Sequence, residues 1–147
     1  MQEFELLSLS HFLGFCICLA AIIFIPKAIQ AKPGLENSSK YLLVFLLVEN
    51  QIRSTYVETF IKGGNLLENL PLHLCDFSAI VIAVFLLTGF RPLFIFAYFW
   101  GIAGAGMSIL TPDSEFAFPH YEYFATMYGH SLILLAVVFS IVNLGQR

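Results

Sequence analysis

Charge is what this sequence has least of. Asp, Glu, Lys and Arg make up 12% of its 147 residues, about half the share of an ordinary soluble domain. No basic patch is present, so no nucleic-acid partner is expected, and the net charge of −3 adds nothing on that point. Cysteine is scarce as well. Cys16, Cys18 and Cys75 are odd in number, scattered and set in apolar segments, which excludes a disulfide framework and leaves free thiols. The N-terminus carries Glu3 and Glu5 where a cleavable signal needs basic residues, so the first apolar segment reads as a retained span. There is no internal repeat, no low-complexity tract and no compact two-histidine motif such as H-E-x-x-H, and no cofactor is expected.

Apolar residues fill the space that charge leaves. They reach 59%, with sixteen Phe and a mean hydropathy of +0.83. Runs of roughly 18 or more apolar residues recur, each long enough to cross a ~30 Å hydrocarbon core as a helix. The expected fold is an all-α, polytopic transmembrane bundle forming one domain over residues 1–147, with spans near 8–26, 41–61, 71–90, 92–111 and 121–144. Pro26, Pro33 and Gly34 are expected to end the first span and open a polar loop through Asn37-Ser38-Ser39. Gly63-Gly64-Asn65 ends the second, Gly89-Phe90-Arg91-Pro92 turns the third into the fourth, and Pro112 and Pro119 bracket the loop before the fifth.

Lys27, Lys32, Lys40, Arg91 and Arg147 fall on one side of this layout. The other side holds Lys62 together with the acids Asp113, Glu115 and Glu122. The positive-inside rule then predicts a cell-membrane, multi-pass protein with its N-terminus outside and its C-terminus inside. In that topology most of the awkward polar residues collect in the outer half: Arg53, Tyr56 and Glu58 of the second span, His73, Cys75 and Asp76 of the third, Asp113, His120 and His130, with Glu49 near mid-depth. A shared cavity open to the outer leaflet follows.

The densest cluster is Asn69-Leu70-Pro71-Leu72-His73-Leu74-Cys75-Asp76. Pro71 suits the first turn of a helix, with Asn69 or Leu70 as its cap. Ionisable groups in a membrane helix are costly and mark candidate functional sites. His73 and Asp76, three apart, share a helical face, whereas Cys75 lies about 160° round from His73 and would need a base from another span. His130 or His120 is the natural candidate. An apolar filler is the bland alternative for Cys75. Glu49 and Arg53, with Asn50, sit in pairing register on the second span, either as glue between helices or as substrate contacts. Ala97, Gly101 and Ala105 form one row of small residues on the fourth span and Gly104 with Ser108 a second, a pattern for close packing. Trp100 either packs on a neighbour or lines the cavity. His11 reads as interfacial, and Cys16 and Cys18 as structural. His73, Asp76, His120 and His130 also make a loose set of metal-ligand types.

The segment 70–76 resembles the signature of the YwaF family of bacterial integral membrane proteins, relatives of the eukaryotic transmembrane-protein-164 acyltransferases. Tyr98-Phe99-Trp100-Gly101, Leu110-Thr111-Pro112-Asp113, Phe118-Pro119-His120 and the stretch from Phe124 to His130-Ser131-Leu132 follow in the family's order. Members of that family continue through two further spans, so the resemblance implies a C-terminally shortened chain. It also implies membrane lipids as partners and either a homo-oligomer or a companion supplying the missing spans. Carried onto these positions, the resemblance makes Cys75 an acyl-carrying nucleophile, His130 its base and His73 or Asp76 an orienting partner. It makes Asp113 or Arg53 a headgroup contact, and Glu49, Trp100 and His120 complete the expected substrate-binding set. A metal-dependent lipid hydrolase and a transporter or non-catalytic membrane partner are the alternatives.

Overall fold

A computed structural model describes residues 4–6, 8–32, 34–65, 67 and 73–146. It is an up-and-down bundle of five helices: α1 Leu9–Gln30, α2 Leu35–Tyr56, α3 Leu74–Thr88, α4 Arg91–Leu110 and α5 Tyr121–Val142. A single π-helical turn, Val57–Ile61, prolongs α2. α1, α4 and α5 are long and apolar enough to cross a membrane, while α3 has 15 residues and α2 carries Glu36, Lys40, Glu49 and Arg53.

Two expected helix ends move. Pro26 does not end α1; it lies inside the helix, fully buried, and the chain stays helical to Gln30. The missing N–H of Pro26 takes the helical donor from the Ile22 carbonyl, but the segment is tied across to the end of α5, where the Asn143 amide donates to the Pro26 carbonyl at 3.1 Å and the Gln30 amide to the Val142 carbonyl at 2.9 Å. Bundle neighbours of this kind make an internal proline tolerable. α2 starts at Leu35 behind Gly34, whose φ of 93° only glycine adopts freely, so Asn37-Ser38-Ser39 is helical instead of a loop. α3 starts at Leu74, with His73 in the extended cap position. The expected cap at Asn69 or Leu70 and first turn at Pro71 lie outside the described residues. The other boundaries follow local chemistry: Gly89 closes α3 at φ 71°, and Pro92 stands in the first turn of α4.

The core is a contact surface of α2, α3, α4 and α5, centred on Leu47, Ile82, Phe85, Ala97, Val137 and Phe139. Two of its buried hydroxyls are satisfied within their own helices, Ser78 donating to the Leu74 carbonyl at 2.8 Å and Ser140 to that of Ala136 at 2.7 Å. Large apolar side chains also cover the outside of the bundle, including Ile17, Phe24, Phe45, Ile52 and Phe99, each more than 60% exposed. Hydrocarbon is the solvent that suits such a surface.

Helix register sets the depth of the site. The two rows of small residues on α4 face different neighbours. A Cβ on Gly101 would stand 3.1 Å from Ile133 of α5, and one on Gly104 would stand 3.2 Å from Cys75 Sγ of α3. Counting from the 101–133 contact along antiparallel helices puts residue 104 level with residue 130. On the α2 side, a Cβ on Gly129 would stand 2.9 Å from the Asn50 amide. Asn50, Cys75, Gly104 and His130 therefore occupy one layer, contributed by four helices. Six further residues of α4 rise above that layer, so Cys75 is recessed by about 9 Å from the helix end.

Candidate functional site

The recess is a cavity of about 380 Å³ at the end of the bundle where α2 and α4 finish and α5 begins. Cys75 and Asp76 line it from the first turn of α3, His130 and Thr126 from α5, Arg53 from α2 and Asp113 from the loop after α4. Its mouth holds further charge, with Glu58 and Lys62 on one side and Glu115 and Glu122 on the other.

Arg53 is held on every side. Its Nε pairs with Glu49 at 3.2 Å, Nη2 donates to Asn50 Oδ1 at 2.6 Å, and Nη1 donates to the Tyr121 hydroxyl at 2.5 Å. The guanidinium also lies 5.8 Å from the ring centroid of Tyr121 and 5.7 Å from that of Tyr128. Three donors in a fixed planar fork meet three acceptors, a geometry that only Arg supplies. The arrangement fixes the head of Arg53 at the cavity wall and neutralises Glu49 behind it.

His130 Nδ1 stands 2.7 Å from the Thr126 carbonyl. A carbonyl can only accept, so Nδ1 carries the hydrogen, and in the neutral ring the Nε2 lone pair is free to take a proton. Asp76 lies close enough to His130 for their charges to interact. Ser108 lies beside Cys75, and its hydroxyl donates to the Gly104 carbonyl at 3.0 Å. The absent side chain at Gly104 leaves room for the sulfur.

At the mouth, Lys62 bridges α2 to α5. Its Nζ is 2.6 Å from Glu122 and 2.9 Å from Glu58. Bonding to Glu122 raises the Lys62 ammonium above its ordinary pKa, burial opposes this, and Glu58 adds to the rise. Lys62 therefore stays charged through the physiological range.

Not every residue expected at the site lines the cavity. Glu49 reaches it only through Arg53. His73 is exposed at the cap of α3, outside the helical face it was expected to share with Asp76. His120 caps α5, its Nδ1 accepting from the Glu122 backbone at 3.4 Å, and its ring packs on Phe116 at 4.5 Å. Trp100 is on the outer surface of α4, stacked on Phe96 at 5.8 Å. His11, expected at an interface, is buried at 4% exposure between Phe4 and the Leu110 carbonyl, to which its Nε2 donates at 3.1 Å. Among the described residues no three His, Cys, Asp or Glu side chains converge as metal ligands would.

With this geometry in hand, comparison across the whole chain is decisive: residues 3–147 match the model of the TMEM164 family. The chain belongs to the TMEM164 family. No curated protein and no solved structure matches it. Family membership and the apolar helices together make this a membrane protein.

Several residues around the site of this TMEM164-family chain escape a reading of sequence alone. Tyr121 and Lys62 are ordinary residues at helix ends, and only the approach of α2 to α5 gives them partners. Gly129 is different. A glycine beside His130 in an otherwise apolar helix is a visible signal of close approach.

Proposed function

We propose that this chain is a multi-pass lipid acyltransferase, its five helices crossing the membrane with the cavity end outside, and that Cys75 carries the acyl group as a thioester. The observation that carries the proposal is the common layer. A recessed thiol, an imidazole with a free Nε2 and a carboxylate beside it share one cavity. Arg53 and Asp113 line that same cavity and suit a phospholipid headgroup. Family membership supports the same direction.

The Cys75 proton passes to His130 Nε2, and the sulfur attacks an ester carbonyl of a membrane phospholipid. The C–S bond forms, the ester C–O bond breaks, and the departing lysolipid oxygen takes the proton back from His130. An acceptor lysolipid hydroxyl then gives its proton to His130 and attacks the thioester. The new C–O bond forms, the C–S bond breaks, and the thiol is restored. Asp76 steadies the imidazolium that forms transiently within each half.

Intact-mass spectrometry in phospholipid vesicles tests this. The expected result is a hydroxylamine-sensitive gain equal to one fatty acyl chain in the wild type and no gain in Cys75→Ala. Lipid turnover that persists in Cys75→Ala and stops with a chelator would instead establish a metal-dependent hydrolase. No adduct and no turnover would leave a transporter or non-catalytic partner.

A further inference from the structure

A second depression of about 190 Å³ runs along the outside of the bundle between α2 and α3. Its floor is made by the small, buried Ala79 and Ala83, and its rims by exposed Val48, Ile52, Val84 and Leu87. The lining is apolar with a single exception, Gln51. Gln51 also lines the polar cavity. The two depressions thus share a wall residue, next in sequence to Asn50 and at the layer that holds Cys75. From there the groove leads away from the cavity end toward the Gly89 turn. The stretch from Ala79 to Leu87 rises about 12 Å, close to the depth of one leaflet of a ~30 Å hydrocarbon core.

We infer that the α2–α3 groove is the acyl-chain subsite of the cavity: a phospholipid places its headgroup and ester by Arg53 and Cys75, crosses at Gln51, and lays one acyl chain along Ala79 and Ala83. The inference rests on the acyl-transfer reading for what happens to that chain, but not for its being seated there. Three features favour a hydrocarbon chain over another helix as the occupant. The groove is small at about 190 Å³, its floor is set by two alanines one turn apart, and its one polar lining residue, Gln51, is also a wall of the charged cavity, into which an apolar helix has no reason to continue. An acyl chain esterified to a polar headgroup has both an apolar and a charged end, which is the order in which the two depressions are joined. The residues on the floor then measure the chain that Cys75 receives.

The test uses the full-length protein in phosphatidylcholine vesicles containing a phospholipid with a diazirine midway along one acyl chain. After irradiation, labelled residues are mapped by mass spectrometry in the wild type, Cys75→Ala, Ala83→Phe and Val48→Trp. The expected label on α2 and α3 groove residues is about ten-fold above that on Phe24 and Phe99, which face lipid on other surfaces, and it is lost in Ala83→Phe and Val48→Trp. Val48 is exposed, so its replacement fills the groove without disturbing the core. Label spread evenly over all lipid-facing residues, or unchanged by either substitution, would overturn the inference. The acyl mass found on Cys75 gives a second readout. Both substitutions should shift its ratio of long to short chains by about ten-fold toward short, and an unchanged ratio would count against the groove. A wild type that gains no acyl mass removes the acyl-transfer reading alone, because labelling of Cys75→Ala still decides whether a chain sits in the groove.

Discussion

The side-chain amide of Asn50 occupies the space that a side chain on residue 129 would need, with Nδ2 2.9 Å from an ideal Cβ at Gly129. The same amide accepts from Arg53 at 2.6 Å. Replacing Gly129 by Ala should therefore push Asn50 aside and release one of the three bonds that hold Arg53. Overpacking of this kind costs about 1–3 kcal/mol. Thermal unfolding should show Gly129→Ala destabilised, and Asn50→Ala placed on top of it should recover part of the loss. Additive losses in the double variant would mean that the two residues do not meet.

Arg53→Lys should fail to rescue function even though it keeps the charge. A lysine ammonium cannot reach Glu49, Asn50 and Tyr121 in the directions that the guanidinium nitrogens reach. Lipid turnover should fall by at least about ten-fold, the scale of one well-placed charged hydrogen bond, while Tyr121→Phe, which removes a single acceptor, should fall less. Equal activity of Arg53→Lys and wild type would show that charge alone matters here.

For His130 the prediction separates proton transfer from shape. His130→Asn keeps a donor that can reach the Thr126 carbonyl but has no basic nitrogen to offer the cavity. Its rate of thioester formation should drop by about 10²–10⁴-fold with little change in thermal stability. A variant that unfolds early, or that forms the thioester at the normal rate, would place His130 in the framework instead.

Two glycines of α4 make a matched pair. A Cβ on Gly104 would stand 3.2 Å from Cys75 Sγ, whereas one on Gly106 would meet nothing within 4 Å. Gly106→Ala should stabilise the protein by roughly 0.5–1 kcal/mol, the ordinary gain for glycine to alanine in a helix. Gly104→Ala should gain less or lose stability, and should slow alkylation of Cys75 by a maleimide. Indistinguishable behaviour of the two variants would contradict the α3–α4 register.

Where local chemistry decides structure, the sequence could be read directly. The Gly89-Phe90-Arg91-Pro92 reversal and the small-residue rows of α4 are such cases, because a positive φ, a fixed proline φ and a missing Cβ act within one or two turns. The readings that moved depend on neighbours distant in sequence. Pro26 is a helix breaker by local rules, yet it is fully buried and the turn around it is tied to the end of α5. His11 looked interfacial until Phe4 and Leu110 covered it, and Trp100 depends on which side of α4 faces the bundle. At the site, Cys75, Asp76, His130, Arg53 and Asp113 stand out in the sequence as ionisable groups in or beside apolar segments, and they line one cavity. Their place in one half of the bundle follows from the order of the spans, but the layer that Cys75 and His130 share does not. It depends on the helix register, which Gly101, Gly104 and Gly129 set by letting backbones approach.

The Arg53–Tyr121 bond has a further consequence, for biosynthesis. Its partners are 68 residues apart and join the second helix to the last. In a nascent chain that has made only the first four helices, Arg53 has its own helix's Glu49 and Asn50 for company, and the wall that α5 contributes does not yet exist. The site is therefore completed only when the fifth helix packs against α2.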